Sequence, residues 1–240
     1  MGAKSKLGIG SMSSPGVNSG RRRLQGFYAQ RSAVSTLLII NTIAFIIQMF
    51  SNKFTEIFML TSADVFTRPY ILVTHMFLHA NFTHILFNMY ALWMFGMILE
   101  QKIGTKQFYI LYFSAGIIAG FVASFFYPAA LGASAAIMAV IGALVVIMPN
   151  LKLLFFFIIP MPFWVAGIFW AALDVFGIFV PSGIGNIAHL VGMAIGILFS
   201  FYLIQKRKKF TSSASYSTKV NLTADEAQDF YEKYNKYGRV

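Results

Sequence analysis

The chain has 240 residues, of which 58% are hydrophobic and 11% are charged, and its formal net charge is +11. The mean hydropathy of +0.68 excludes an ordinary soluble domain and predicts an all-α, polytopic membrane protein. Lys and Arg residues flank the apolar runs, which is typical of a protein oriented in a lipid bilayer and does not favour a nucleic-acid partner. Because the chain contains no cysteine, disulfide and thiol chemistry are excluded.

Six apolar runs predict six transmembrane helices within a membrane domain at residues 31–205. The predicted helices lie at 33–50, 81–99, 107–126, 132–148, 153–179 and 186–204. The fifth range opens with a piece broken by Pro160 and Pro162, which we expect at the membrane interface. Gly116 and Gly120 on the third helix predict close packing against a neighbouring element.

Two tails flank the predicted membrane domain. Residues 1–30 are rich in Gly, Ser, Lys and Arg and are predicted to be a disordered, basic cytoplasmic tail. Residues 206–240 are predicted to be a cytoplasmic C-terminal tail, in which a Ser-rich linker precedes a short helix. Thr223 and Glu226 are spaced as the capping box of that helix, and Gly238 lies beyond its end.

The Lys and Arg residues near the predicted helix ends indicate the orientation of the chain. They place both termini, the turn between helices 2 and 3 and the turn between helices 4 and 5 on the cytoplasmic side of an integral protein of the cell membrane. Lys53 and Arg68, in the external first loop, are the exceptions. Helices 2, 4 and 6 are therefore predicted to begin at the outer face and to run inward.

Few polar side chains occur in the predicted spans, and such groups are functional candidates because they are costly in a membrane. Ser134 lies near the start of helix 4, His189 near the start of helix 6, and His84 and Asn88 near the start of helix 2. Since a helix rises about 1.5 Å per residue, the four side chains are expected at one depth below the outer face. His84 and Asn88 are four residues apart and share one helix face.

Each of these residues also has a purely structural interpretation. Ser134 follows the small residues Gly132 and Ala133, where a serine commonly caps a helix. His84 or Asn88 alone is more often a hydrogen-bonding strut between helices, and His189 alone is more often a buried histidine with satisfied partners.

A zinc site at His75, His79 and His84 is the metal-binding alternative, and we do not favour it. No carboxylate or cysteine accompanies these histidines, and the H-E-x-x-H motif of a metalloprotease helix is absent, so neither a metal nor a cofactor is predicted. Asp174 is the only carboxylate well inside a predicted span, which argues against a membrane protease with two aspartates.

A serine, a histidine and further hydrogen-bond donors form a coherent set for nucleophilic catalysis. The histidine accepts the serine proton as general base, while side-chain donors and the first amides of helix 4 stabilise a tetrahedral oxyanion. A third, acidic member is not required for this chemistry, because Ser-plus-base variants exist on other folds.

Three motifs carry a resemblance to a known family: H-x-x-x-x-H-x-x-x-N at 79–88, G-x-S-A at 132–135 and A-H-x-x-G-x-x-x-G at 188–196. Over residues 33–204 the chain resembles the rhomboid family of intramembrane serine proteases. The resemblance implies a six-helix rhomboid bundle that cleaves transmembrane protein substrates within or near their spans. It also implies that Ser134 is the nucleophile, that His189 is its base, and that His84 and Asn88 join the Ser134 amide in the oxyanion hole.

Outside these roles, the chain both follows and departs from the family pattern. Glu100 is similar to the family's acidic residue at the inner end of helix 2, and Asp174 begins a segment similar to the one that ends helix 5. Ala135 replaces the usual glycine after the serine, Met138 replaces an aromatic residue, and Tyr70-Ile71 stands where the family has Trp-Arg.

Glycines on two of the predicted helices indicate how the serine and the histidine meet. Gly192 and Gly196 follow His189 at helical spacing, and Gly142 lies two turns below Ser134. Without Cβ atoms at these positions, helices 4 and 6 can approach closely.

Two other functions are weighed against the protease. Ala135 favours a catalytically inactive rhomboid-like protein that binds membrane proteins, although ordinary helical backbone angles at this position would tolerate its methyl group. A transporter or channel fits poorly, because no chain of ionisable residues crosses the membrane.

Overall fold

The structure, a computed structural model, describes residues 32–155, 159–180 and 183–217, together with 225–226, 228–229 and 232. Most of the described chain is helical, which confirms the predicted class. The α-helices are α1 Ala33–Phe50, α2 Asn52–Phe58, α3 Ile71–Thr74, α4 Phe82–Ala91, α5 Met97–Ile103, α6 Thr105–Ala123, α7 Ser134–Ile147, α8 Phe163–Ile178 and α9 Asn186–Ser217. A 3-10 turn, His75–Phe77, follows α3, and a π-helical segment, Leu92–Gly96, joins α4 to α5.

Four helical stretches are long and apolar enough to cross a membrane: Ala33–Phe50, Phe82–Ile103, Thr105–Ala123 and Asn186–Lys208. The apolar helices α7 and α8 are shorter, with 14 and 16 residues. A helix of α7's length rises about 21 Å, less than the roughly 30 Å of a bilayer's hydrocarbon core. Every residue from Ala135 to Leu144 is buried, so α7 lies inside the protein. All six predicted helices are present, and the count of six spans remains a prediction.

The helices α7 and α9 pack with their backbones in contact. A Cβ atom at Gly192 would overlap the carbonyl oxygen of Ala135, and one at Gly196 would overlap that of Ala139. The reciprocal contact is made by Gly142, which lies against the backbone of α9. The predicted role of these glycines is confirmed, because any larger residue would force the two helices apart.

Apolar side chains form both the interior and the outer surface of the helical bundle. Phe108 and Tyr112 of α6 and Leu37 of α1 are fully buried, whereas Ile39 of α1 and Phe176 of α8 are 60% and 67% exposed. Large exposed apolar surfaces of this kind mark contact with a membrane or a partner. Together with the long apolar helices, they identify an integral membrane protein whose outer surface faces lipid.

The segment before α8 differs from its prediction. Lys152–Phe155 (β3) pairs antiparallel with Ile159–Pro162 (β4), and the register places Lys152 opposite Pro162. Proline has no N–H and interrupts a helix, but it is tolerated on an edge strand. The helix therefore begins at Phe163, after Pro162, rather than near residue 153.

The C-terminal helix also differs from its prediction, since α9 continues past residue 204 to Ser217. Residues 197–217 contain neither Gly nor Pro, so no stop signal ends the helix where the Ser-rich linker was expected. Thr223 and Gly238 of the predicted tail helix lie outside the described residues, as does the N-terminal tail. Helical backbone at 225–226, 228–229 and 232 agrees with a short helix in this region.

The carboxylate of Glu100 caps the N-terminus of α1. Its oxygens accept hydrogen bonds from the N–H groups of Ala33 at 2.7 Å and Val34 at 3.1 Å, and from the hydroxyls of Ser32 at 2.6 Å and Thr105 at 2.7 Å. A negative charge at a helix N-terminus satisfies free amides and complements the helix dipole. Glu100 thus connects α1, α5 and α6 at one end of the bundle.

We expect Glu100→Ala to lower the free energy of unfolding by about 3 kcal/mol, because buried donors then lose a charged acceptor. Glu100→Gln keeps one acceptor oxygen and is expected to cost about 1 kcal/mol. Unfolding in detergent micelles measures both variants, with Glu56→Ala as the control for an exposed acidic residue. Equal stability of Glu100→Ala and the unaltered protein would contradict the capping role.

Candidate active site

Ser134 is placed by a short strand and a glycine turn. Ala129–Ala130 (β2) pairs antiparallel with Leu60–Thr61 (β1), and the N–H of Gly132 donates to the carbonyl of His75 at 2.9 Å. Gly132 has φ +130°, a backbone conformation that residues with a side chain rarely adopt. Ser134 is the first residue of α7, and the capping position is Ala133, which has no side-chain cap bond. The interpretation of Ser134 as an N-cap is therefore wrong.

The hydroxyl of Ser134 is hydrogen-bonded to His189. The Nε2 atom of His189, in the first turn of α9, lies 2.8 Å from Ser134 Oγ. The start of α9 is held by Tyr127, whose hydroxyl oxygen accepts a hydrogen bond from the N–H of Ile187 at 3.2 Å. With the backbone contact between α7 and α9, this brings together the serine and histidine that the sequence predicted at one depth.

A third group, the carboxylate of Asp174, contacts the same histidine. Its Oδ1 atom lies 2.9 Å from His189 Nδ1, and Asp174 is only 8% exposed. The chemistry predicted from the sequence did not require an acidic third group, and the structure places one beside His189. Asp174 lies four residues before the end of α8 at Ile178, and the depth criterion that selected Ser134 would have found it if applied to helix ends as well as helix starts.

The ring of His84 lies beside the glycine turn that precedes Ser134. The N–H of Ala80 donates to His84 Nδ1 at 3.3 Å, so in the neutral ring the hydrogen is on Nε2. A Cβ atom at Gly132 would lie 3.1 Å from His84 Nε2 and 3.7 Å from Ser134 Oγ. Glycine at this position therefore leaves open the space between the two groups, and His84 supplies a donor beside the serine.

Asn88 is buried one turn along α4 from His84, as predicted from their spacing. Its Nδ2 atom donates to the carbonyl of His84 at 2.8 Å. A carboxamide has two N–H hydrogens, and this bond uses one of them. Its contribution to an oxyanion hole remains a prediction.

The three histidines of the alternative zinc site have other surroundings. The His75 Nδ1 atom lies 2.8 Å from the carbonyl of Ile71, and its ring packs against Gly120. The His79 ring packs edge-on against His84 with 5.1 Å between centroids. Burial, with a smaller effect of His84, lowers the pKa of His79 to about 3, so its ring is neutral at pH 7. Within the described residues, no three His, Cys, Asp or Glu side chains could hold a metal ion.

Residues 67–206 match the family described as Rhomboid domain. The chain belongs to the rhomboid family. This family consists in general of serine proteases in membranes, and the paired Ser134 and His189 lie within the matched region.

Three relatives illustrate the range of this rhomboid similarity. Rhomboid protein 1, mitochondrial, of Saccharomyces cerevisiae is 32% identical over 192 residues, which cover 75% of this chain and 55% of the relative. YdcA of Bacillus subtilis, a candidate rhomboid protease by name, is 32% identical over 148 residues, 58% of this chain and 69% of the relative. Presenilin-associated rhomboid-like protein, mitochondrial, of Rattus norvegicus is 29% identical over 196 residues, 78% of this chain and 50% of the relative. The chain spans about half the length of the two mitochondrial relatives.

The rhomboid pattern is altered at Ala135, and the backbone accommodates the change. Ala135 is the second residue of α7 and is 6% exposed. Ala135 has the helical conformation that was expected at this position, and alanine is the strongest helix former. The methyl group therefore brings no backbone strain to the turn that presents Ser134.

Proposed function

We propose that this rhomboid is an intramembrane serine protease that cleaves transmembrane protein substrates with Ser134 as nucleophile and His189 as general base. The observation that carries the proposal is the 2.8 Å contact between Ser134 Oγ and His189 Nε2 inside the rhomboid domain. A serine hydroxyl is a weak nucleophile on its own, and a base within hydrogen-bond reach activates it.

The proposed reaction uses the contact between Ser134 Oγ and His189 Nε2 to move the hydroxyl proton. His189 Nε2 accepts the hydroxyl proton while Ser134 Oγ attacks the scissile carbonyl carbon, and the same Nε2 then protonates the leaving amine. The resulting acyl-enzyme is hydrolysed by water, whose proton His189 takes and then returns to Ser134 Oγ as the product acid leaves. The Nε2–H of His84, the Ser134 amide and the Asn88 carboxamide are the proposed donors to the oxyanion.

Cleavage of a single-pass transmembrane test substrate in proteoliposomes tests this function. We expect the unaltered protein to cleave the substrate and Ser134→Ala to leave it intact. Ser114→Ala is the matched control, since Ser114 lies on α6 and its hydroxyl bonds only a backbone carbonyl among the described contacts. Equal cleavage by Ser134→Ala and Ser114→Ala would refute the assignment of the nucleophile.

The alternative of an inactive binder rests on Ala135, and its test is kinetic. We expect Ala135→Gly to change the cleavage rate by about tenfold or less, equivalent to about 1.4 kcal/mol in the barrier. It should also lower stability by up to about 1 kcal/mol, because glycine is the poorer helix former. If the unaltered protein is inactive and Ala135→Gly cleaves the substrate, the natural protein is the binder.

The proposed orientation places both ends of the membrane domain on the side of the positive charges, with Ser134 near the opposite face. Arg68, an exception to this rule, is paired with Asp64, whose pKa is lowered by hydrogen bonds from Thr61 and Arg68. The expected cell-membrane location lacks support from the relatives that are mitochondrial by name, and the orientation does not depend on it.

Cysteines introduced into this cysteine-free chain test the proposed orientation. At Phe126, exposed in the turn after α6, a cysteine should react with an impermeant maleimide from the face that bears Ser134. At Lys208, exposed on α9, a cysteine should react from the other face. The reverse pattern of labelling would show the opposite orientation.

A further inference from the structure

Asp174 is a buried carboxylate in an otherwise uncharged apolar helix. Its neighbours on α8, Leu173 and Val175, are 50% and 49% exposed on the outer surface, whereas the Asp174 side chain is 11% exposed and contacts His189. An ionised carboxylate in such surroundings is costly unless it is paired and hydrogen-bonded. Since an apolar side chain would suit α8 better, the carboxylate points to a role in the site.

The contact between Asp174 and His189 determines which ring nitrogen carries the hydrogen. A carboxylate only accepts hydrogen bonds, so the 2.9 Å contact with His189 Nδ1 requires a hydrogen on Nδ1. In the neutral ring Nε2 is then unprotonated and accepts the hydroxyl hydrogen of Ser134. The other tautomer would donate from Nε2 to Ser134 Oγ and could not take the proton of the nucleophile.

The same carboxylate also faces the charge that forms during the reaction. When Nε2 takes the serine proton, the ring becomes an imidazolium, and a negative charge next to Nδ1 stabilises it in surroundings of low dielectric constant. The proton on Nδ1 stays on His189 and Asp174 stays ionised throughout.

We propose that Asp174 is a positioning residue that completes a Ser134–His189–Asp174 triad in this protein. The inference rests on the proposed protease function and adds a residue to it. Asp174 acts through His189, by holding the ring in the tautomer that accepts the Ser134 proton and by stabilising its charged form.

A separate contact holds α8 against α9, so the structural role of this junction can be tested apart from the triad. A Cβ atom at Gly177 would lie 2.7 Å from the side-chain atoms of Asn186, which is 5% exposed. Asn186→Ala therefore disturbs the packing between the two helices without removing a partner of His189. It is the matched control for substitutions of Asp174.

The experiment measures kcat and KM on a transmembrane substrate in proteoliposomes for Asp174→Asn, Asp174→Glu and Asn186→Ala. Asp174→Asn keeps the shape but removes the charge, and we expect kcat to fall on the order of 1,000-fold with KM and melting temperature nearly unchanged. Asp174→Glu keeps the charge and is expected to retain at least ten times the kcat of Asp174→Asn. Asn186→Ala should lower the melting temperature and leave kcat nearly unchanged.

Two outcomes would overturn the proposal, and they are distinguishable. If the unaltered protein cleaves the substrate and Asp174→Asn retains its kcat while Asp174→Glu does not, shape matters and charge does not, so Asp174 only packs. If the unaltered protein cleaves nothing, the protease function fails and the triad fails with it.

Discussion

Replacing His189 with alanine is expected to reduce the rate of cleavage on the order of 10⁴-fold or more while the protein remains folded. The reason is the 2.8 Å contact between His189 Nε2 and Ser134 Oγ, because without this base the hydroxyl keeps its proton. The measurement is single-turnover cleavage of a transmembrane substrate in proteoliposomes, with circular dichroism as the check on folding.

The double variant Ser134→Ala/His189→Ala supplies the control for the His189 prediction. A nucleophile and its base act as a unit, so their losses do not add, and the double variant should be about as slow as either single variant. A His189→Ala protein that keeps its rate within about tenfold would show that another group activates Ser134, or that Ser134 is not the nucleophile.

Replacing His84 with alanine is expected to reduce kcat by about 100- to 1,000-fold, the usual effect of losing one oxyanion donor. The Nδ1 atom of His84 accepts a hydrogen bond from the N–H of Ala80, which leaves an Nε2–H for the site. KM should change little, since the oxyanion exists only in the transition state and the intermediates. Steady-state kinetics in proteoliposomes separates the two constants.

Two comparison variants sharpen the test of His84. Thr83→Ala removes an exposed neighbour from the same helical turn and should leave kcat unchanged. Asn88→Ala should have a smaller effect than His84→Ala, because the Asn88 amide is already engaged with the carbonyl of His84. If His84→Ala has the same kcat as the unaltered protein, His84 is a structural strut and not a donor to the oxyanion.

Hydropathy predicted the positions of the helices because lipid contact requires long apolar runs. The bounds of α1 agree with the prediction, and the next three predicted helices differ from it by at most four residues at either end. The predicted end of the last helix was wrong, because its serine content suggested a linker although the segment contains no helix-breaking residue. The pairing of Leu60–Thr61 with Ala129–Ala130 joins strands too short and too distant in the chain to leave a periodic pattern.

The residues of the candidate site were predictable where their expected depth in the membrane agreed with a family motif. Ser134, His189 and His84 each lie near the start of a helix, and the structure brings them together. In the sequence, Asp174 stood out as a carboxylate inside a predicted span and as the start of a family-like segment. Its contact with His189 depends on how α8 packs on α9, and no local pattern encodes that pairing. The direction of the Asn88 amide toward its own helix backbone is a side-chain conformation that residue spacing does not determine.

Labelling with a fluorophosphonate tests whether His189 activates Ser134, because this reagent reacts with a serine hydroxyl only when a neighbouring base activates it. The intact protein in proteoliposomes is treated, digested and analysed by mass spectrometry, beside Ser134→Ala and His189→Ala. We expect an adduct on Ser134 in the unaltered protein and no adduct in either variant. An unlabelled Ser134, or equal labelling of Ser134 in the His189→Ala protein, would contradict this expectation.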